Sequence, residues 1–135
     1  RFLIHKEAQK TALPLRLQAY ERMALFLERI NPSSLMIRVS PLSNDTKSYE
    51  QLLIANIEQE FEHNIAQQIY ISEECWNVIK SAKNTTVQMI RAVAGKPETI
   101  DADKLREIIL TSLLDKPSPS DTGMAFIKNE VGDIF

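Results

Sequence analysis

The sequence predicts an all-α domain, a helical bundle of four to five helices with a short extended segment near residues 35–39, and three observations carry that expectation. Only 3 of 135 residues are Gly and 7% are aromatic, which leaves little material for a turn-rich β fold. Apolar residues return at three- and four-residue steps over most of the chain, the period of an amphipathic helix. Breakers separate those runs: Asn31-Pro32-Ser33-Ser34 and Ser40-Pro41-Leu42-Ser43-Asn44-Asp45, then Gly95-Lys96-Pro97, then Lys116-Pro117-Ser118-Pro119-Ser120.

The first helix is expected to start near Thr11 to Leu13, because Pro14 lacks an N–H and suits a first turn. At about 100° per residue, Leu13, Leu17, Tyr20, Met23, Ala24, Phe26, Leu27 and Ile30 cover an arc of roughly 200°. Such an arc is too wide for a helix resting on one neighbour. Either this helix is central, surrounded by the second, fourth and fifth helices, or part of its surface meets another copy. Arg16 lies inside the arc and reads as a snorkelling or carboxylate-paired side chain. Leu25 interrupts the polar side near Arg22 and Arg29, so Leu25 and Phe26 are candidate contact residues.

The run Leu35-Met36-Ile37-Arg38-Val39 reads as a strand without an obvious partner. A second helix, about Lys47 to Tyr70, carries Leu53, Ile54, Ile57, Phe61, Ile65 and Ile69 on one stripe, with Asn64 and Gln68 on or beside it. Buried amides must be hydrogen-bonded, so these two are candidates for fixing helix register or a subunit contact. Ser72 reads as the N-cap of a third helix, with Ile71 and Trp76 spaced as a hydrophobic staple. That helix continues through Ile79, Ala82, Thr86, Met89, Ile90 and Val93 and ends at Gly95. Asp101 caps a fourth helix bearing Leu105, Ile108, Ile109, Leu110, Leu113 and Leu114. In the last segment, Asp121 to Phe135, a narrow face of Met124, Ile127, Val131, Ile134 and Phe135 suits an outer helix or a contact with a second subunit.

Length fits one domain with its own core. The division expected is a basic membrane-proximal segment over residues 1–12 and a single helical domain over 13–135. Residues 1–40 hold seven Lys or Arg against three Glu, and the remainder nine against fifteen Asp or Glu. A basic segment ahead of an acidic body argues against nucleic-acid binding, which needs a basic face on the fold itself, and suits an anionic membrane surface. A solvated basic helix face would give the same charge. Nowhere do about 18 apolar residues run together, so nothing within the chain spans a bilayer as a helix. The chain starts at Arg1 rather than Met, which leads to the expectation that something upstream has been removed.

Three spots resemble chemistry. Glu60-Phe61-Glu62-His63 holds the Glu-x-x-His spacing of di-iron bundles. The wheel, however, turns His63 about 150° from the apolar stripe, and the other histidine, His5, sits in the N-terminal stretch. Cys75, the single cysteine, stands in a first helical turn beside Glu73 and Glu74 with no plausible His partner, and reads as structural. Asn64 and Gln68 are the third spot. No phosphate loop, Ser-His-Asp set or convergent carboxylate pair appears, so no catalytic, cofactor-binding or metal-binding residue is assigned.

The strings Arg1-Phe2-Leu3-Ile4-His5-Lys6-Glu7, Leu13-Pro14-Leu15-Arg16-Leu17-Gln18-Ala19-Tyr20-Glu21-Arg22, Leu25-Phe26-Leu27-Glu28-Arg29-Ile30-Asn31-Pro32 and Glu60-Phe61-Glu62-His63-Asn64-Ile65-Ala66-Gln67-Gln68-Ile69-Tyr70-Ile71-Ser72, with Trp76, resemble a family of small uncharacterised bacterial proteins. The resemblance covers most of residues 1–93. It carries no assigned activity and hence no functional residue. What it implies is context: an N-terminal transmembrane helix, a basic stretch, and a helical domain on the cytoplasmic side of the inner membrane. The expected function is a non-enzymatic interaction or scaffold domain that forms a homo-oligomer and meets an unknown protein partner. The alternative is a helical-bundle enzyme or a small-ligand or metal-binding protein.

Overall fold

A computed structural model describes the backbone of residues 2–134 and the side chains of residues 12–134. Six α-helices and one 3-10 segment follow in order: α1 Phe2–Ile30, α2 Pro32–Arg38, α3 Thr46–Asn64, the 3-10 segment Ile65–Tyr70, α4 Glu73–Ala94, α5 Ala102–Ser112 and α6 Pro119–Ile134. Among the described residues there is no strand. The all-α class holds, with one helix more than the sequence suggests.

That extra helix is α2, and it replaces the extended segment expected at 35–39. Asn31 caps it by accepting the Ser33 N–H, and Pro32 occupies the first turn. Pro32, Leu35, Met36 and Val39 are buried while Ile37 is exposed, which is helical and not alternating spacing. Consecutive apolar residues mislead here because a helix of seven residues offers too few repeats to show its period.

Helix α1 also departs from expectation, for it begins at Phe2 and passes through Pro14 without ending. Proline removes one interior hydrogen bond. The residues before it are mostly good helix formers, Leu, Lys, Glu, Ala and Gln among them, and Pro14 itself is exposed. Among the described side chains of α1 the buried ones start at Ala19 and run through Tyr20, Met23, Phe26, Leu27 and Ile30. Three neighbours share this wide arc: α6, α3 with the 3-10 segment, and α4. The helix is thus central, with α4 rather than the helix at 102–112 as its third neighbour.

On one flank of α1 an aromatic ladder joins it to α3 and α4. Phe26 and Phe61 rings lie 6.0 Å apart, and Phe61 stacks on Trp76 at 5.2 Å. Lys83 sits 4.9 Å over the Phe61 ring and pairs with Glu58 at 2.7 Å. On the other flank α6 closes the bundle through small residues. A Cβ built at Gly123 would stand 3.0 Å from Leu27 Cδ1 and 3.8 Å from the Ala82 Cβ, so a side chain there requires the Leu27 methyl to give way.

The second predicted helix ends earlier than Tyr70. Asn64 leaves helical geometry at φ −114° and ψ 2°, and a 3-10 segment follows. With three residues per turn the apolar stripe no longer points at the core, which leaves Ile65 and Ile69 exposed at 44% and 73%. The caps at Ser72 and Asp101 agree with the sequence, and Asp45 adds one the sequence reading did not name. Asp45 accepts the Ser48 N–H, Ser72 that of Cys75, and Asp101 that of Lys104. Ser118 and Asp121 cap α6 reciprocally at 3.0 and 3.2 Å, so this helix starts ahead of the expected Asp121. Ile71 and Trp76 are both buried, as a staple requires.

Candidate functional site

The densest group of chemically capable side chains lies where α1, α4 and α6 meet, around Glu130. The Tyr20 hydroxyl donates to Oε2 of Glu130 at 2.8 Å, and Ser72 Oγ donates to Oε1 at 2.6 Å. Ser72 Oγ also accepts the Cys75 N–H at 3.0 Å, and the Ser72 N–H reaches the Tyr20 oxygen at 3.4 Å. One carboxylate therefore satisfies a hydroxyl from each of two other helices, and the N-cap of α4 is part of the same network.

The electrostatics of this group are those of a clamp. Burial, assisted by the Glu130 carboxylate, pushes the Cys75 thiol up to about 12, so at neutral pH it is protonated and a poor nucleophile. Burial, then the hydrogen bond to Glu130, raises Tyr20 above its ordinary value, while the Ser72 backbone and Arg16 work the other way. Arg16, one turn before Tyr20, is partly exposed and meets that hydroxyl. Cys75 is fully buried, in keeping with a structural reading.

The remaining sequence candidates separate. Phe26 is 1% exposed and belongs to the aromatic ladder inside the chain, whereas Leu25 is 59% exposed on the outer face of α1. Asn64 is buried and fixes α3 against α1: its Nδ2 donates to the Glu60 carbonyl at 2.8 Å and its Oδ1 accepts from Arg22 Nε at 3.4 Å. Gln68 is exposed and only donates to the carbonyl of Ile65. Glu60 and His63 do not converge. Glu60 pairs with Arg29 at 2.6 Å, and His63 is exposed, as the wheel indicates. His5 lies outside the described side chains, as does Phe135. Among the described residues no three or more His, Cys, Asp or Glu side chains gather into a group able to hold a metal ion.

Two further surface features frame these positions. Leu13, Leu15 and Leu17 are each about two-fifths exposed, the first and last on one side of α1 and Leu15 on the opposite side. A groove of about 610 Å³ runs between α4 and the 113–119 connection, with Val78, Ala82, Met89, Leu113, Pro117 and Pro119 among its walls. It is open and mainly apolar, with no converging charges.

Sequence reasoning missed Glu130, because it looked for apolar repeats in the last helix. The available signal was Ser120, Gly123, Ile127 and Glu130 at three- and four-residue steps, a face of small residues ending in a carboxylate. Tyr20, on the apolar arc of α1, needed an acceptor when buried.

Among the described residues no helix is long and apolar enough to cross a membrane. Comparison with curated proteins finds no match, and comparison with solved structures finds none either. The sequence pattern of one family matches residues 1–134, and that family is described as one of unknown function. This match spans the clamp, the aromatic ladder and α6 alike, and the chain belongs to the family of unknown function DUF7935.

Proposed function

We infer that this domain is a non-enzymatic interaction or scaffold module that self-associates through α1, carried at the cytoplasmic face of a bacterial inner membrane. The carrying observation is the exposed leucines on α1, Leu25 above all. Leu13, Leu15, Leu17 and Leu25 face outward on a helix of 29 residues, about 43 Å long at 1.5 Å per residue. A central helix has no packing reason to bear leucine at positions its neighbours leave uncovered. Contact with a second copy gives those side chains a desolvated partner.

The membrane placement draws on the basic balance of residues 1–40 and on the resemblance of residues 1–93 to proteins with an anchor ahead of such a stretch. The Glu130 group favours the non-enzymatic reading, because both carboxylate oxygens are engaged and the neighbouring thiol is held protonated.

Two charge insertions separate contact from core. Leu25→Glu is expected to lower the mass of the associated species while leaving its helical circular dichroism unchanged. Phe26→Glu, one residue on, is expected to abolish the helical signal, since it buries an unpaired carboxylate in the aromatic ladder. Equal loss of helix in both variants would overturn the separation.

A further inference from the structure

We propose that α6 is an exchangeable element: in the self-associated form, α6 of one copy seats on α1 and α4 of a second copy. The proposal deepens the self-association reading above and rests on it. Its first support is the distribution of contacts. Helix α6 packs mainly on α4 and α1, the former being the most extensive helix pair in the molecule, and has no comparable contact with α5, the helix before it. Everything that holds α6 is therefore chain-independent. Gly123 meets Leu27 and Ala82, and Glu130 meets Tyr20 and Ser72, and a second copy presents the same four side chains.

The connection supplies the second support. It runs from Leu113 to Ser118 between α5 and α6, with Leu114, Asp115, Lys116 and Pro117 all exposed. Pro117 and Pro119 bias Lys116 and Ser118 toward extended backbone, which resists a tight return. Grooves of about 610 and 260 Å³ flank this connection, toward α4 and toward Asn31 and Ser33. Leu113 packs against the core and Ser118 is buried at the two ends, so only the middle of the hinge, Leu114 to Pro117, stands off the body. At its far end Ser120 Oγ is buried without a hydrogen-bond partner. A hinge whose middle is stiff and exposed, followed by a helix whose main partners lie far away in the chain, is the arrangement that domain exchange needs.

The 3.8 Å between the Ala82 Cβ and a Cβ built at Gly123 is close to the ~3.8 Å mean of natural disulfides, so an Ala82→Cys/Gly123→Cys chain reports which copy supplies α6. The methyl of Leu27 nearest that site ends a flexible side chain and yields. After oxidation, alkylation and denaturing non-reducing electrophoresis, exchange predicts a covalent band at twice 15.4 kDa that reduction halves. A band at one chain, or no bond at all, overturns the proposal. Should this variant fail to fold, a short Gly-Ser insertion after Lys116 gives an independent readout. It lets each α6 return to its own body and leaves the α1 contact alone to hold two copies, so light scattering across a dilution series is expected to show the dimer mass falling to one chain at a higher concentration than in the wild type. An unchanged dilution curve overturns exchange while leaving association through α1 standing, and a wild type already at one chain removes both.

Discussion

The two flanks of α1 are held by opposite means. Toward α3 and α4 the contact is aromatic, Phe26 on Phe61 on Trp76, with Lys83 over the ladder and the Arg29–Glu60 pair at its rim. Toward α6 the contact is between small residues, with Gly123 against Leu27 and Ala82, and a single carboxylate holds the far end. Large apolar area is tolerant of small displacements. A carboxylate accepting from two hydroxyls is not, since each bond depends on distance and angle. The aromatic flank therefore supplies stability, and the α6 flank supplies a seat that is either fully made or lost.

The largest expected effect falls on the aromatic flank. Trp76→Ala removes the end of the ladder from a site 7% exposed and is expected to cost about 3–5 kcal/mol, as truncation of a buried aromatic does. Denaturant unfolding measures it, and a change below about 1 kcal/mol would show that the ladder does not hold this flank.

On the α6 flank, Glu130→Ala leaves the hydroxyls of Tyr20 and Ser72 without their acceptor and is expected to cost about 1–3 kcal/mol. Glu130→Gln should recover part of that, because a hydroxyl can turn to accept from the amide. The sharper readout is hydrogen exchange. Amides of α6 should exchange faster in Glu130→Ala while those of α3 keep their protection, and uniform acceleration of both would erase the distinction between the flanks.

A smaller effect is a pH dependence that also belongs to the clamp. Cys75 rises from an ordinary 9.0 to about 12, so above pH 9 the unfolded chain releases this proton before the folded chain does. Stability is then full below pH 9 and falls as pH rises toward 12. Tyr20, raised for the same reason of burial beside Glu130, adds to the decline above 10.0. Denaturation midpoints between pH 8 and about 10.5 should decline less steeply in Cys75→Ala than in the wild type. Parallel slopes would place the alkaline sensitivity elsewhere, Tyr49 being a further phenol raised by burial.

The same contrast governs how much could be read from the chain. Helix α4 was legible because its cap at Ser72, its stripe from Ile79 to Val93 and its end at Gly95 all state one period. The Asp101 cap and the outward turn of His63 follow from equally local rules. Helix α2 was not legible, since one and a half turns of apolar residues look the same as a strand. The rotation of Ile65 and Ile69 away from the core depends on Asn64 leaving helical geometry, which no repeat announces. Glu130 depends on three helices meeting, and only the fold brings Tyr20 and Ser72, 110 and 58 residues away, to its two oxygens.

The central functional claim is self-association with Leu25 in the contact, and light scattering of the wild-type chain across a micromolar dilution series tests it most directly. The account predicts a mass of at least two chains of 15.4 kDa, falling toward one chain on dilution and falling sooner in Leu25→Glu. A mass of one chain at every concentration would contradict it.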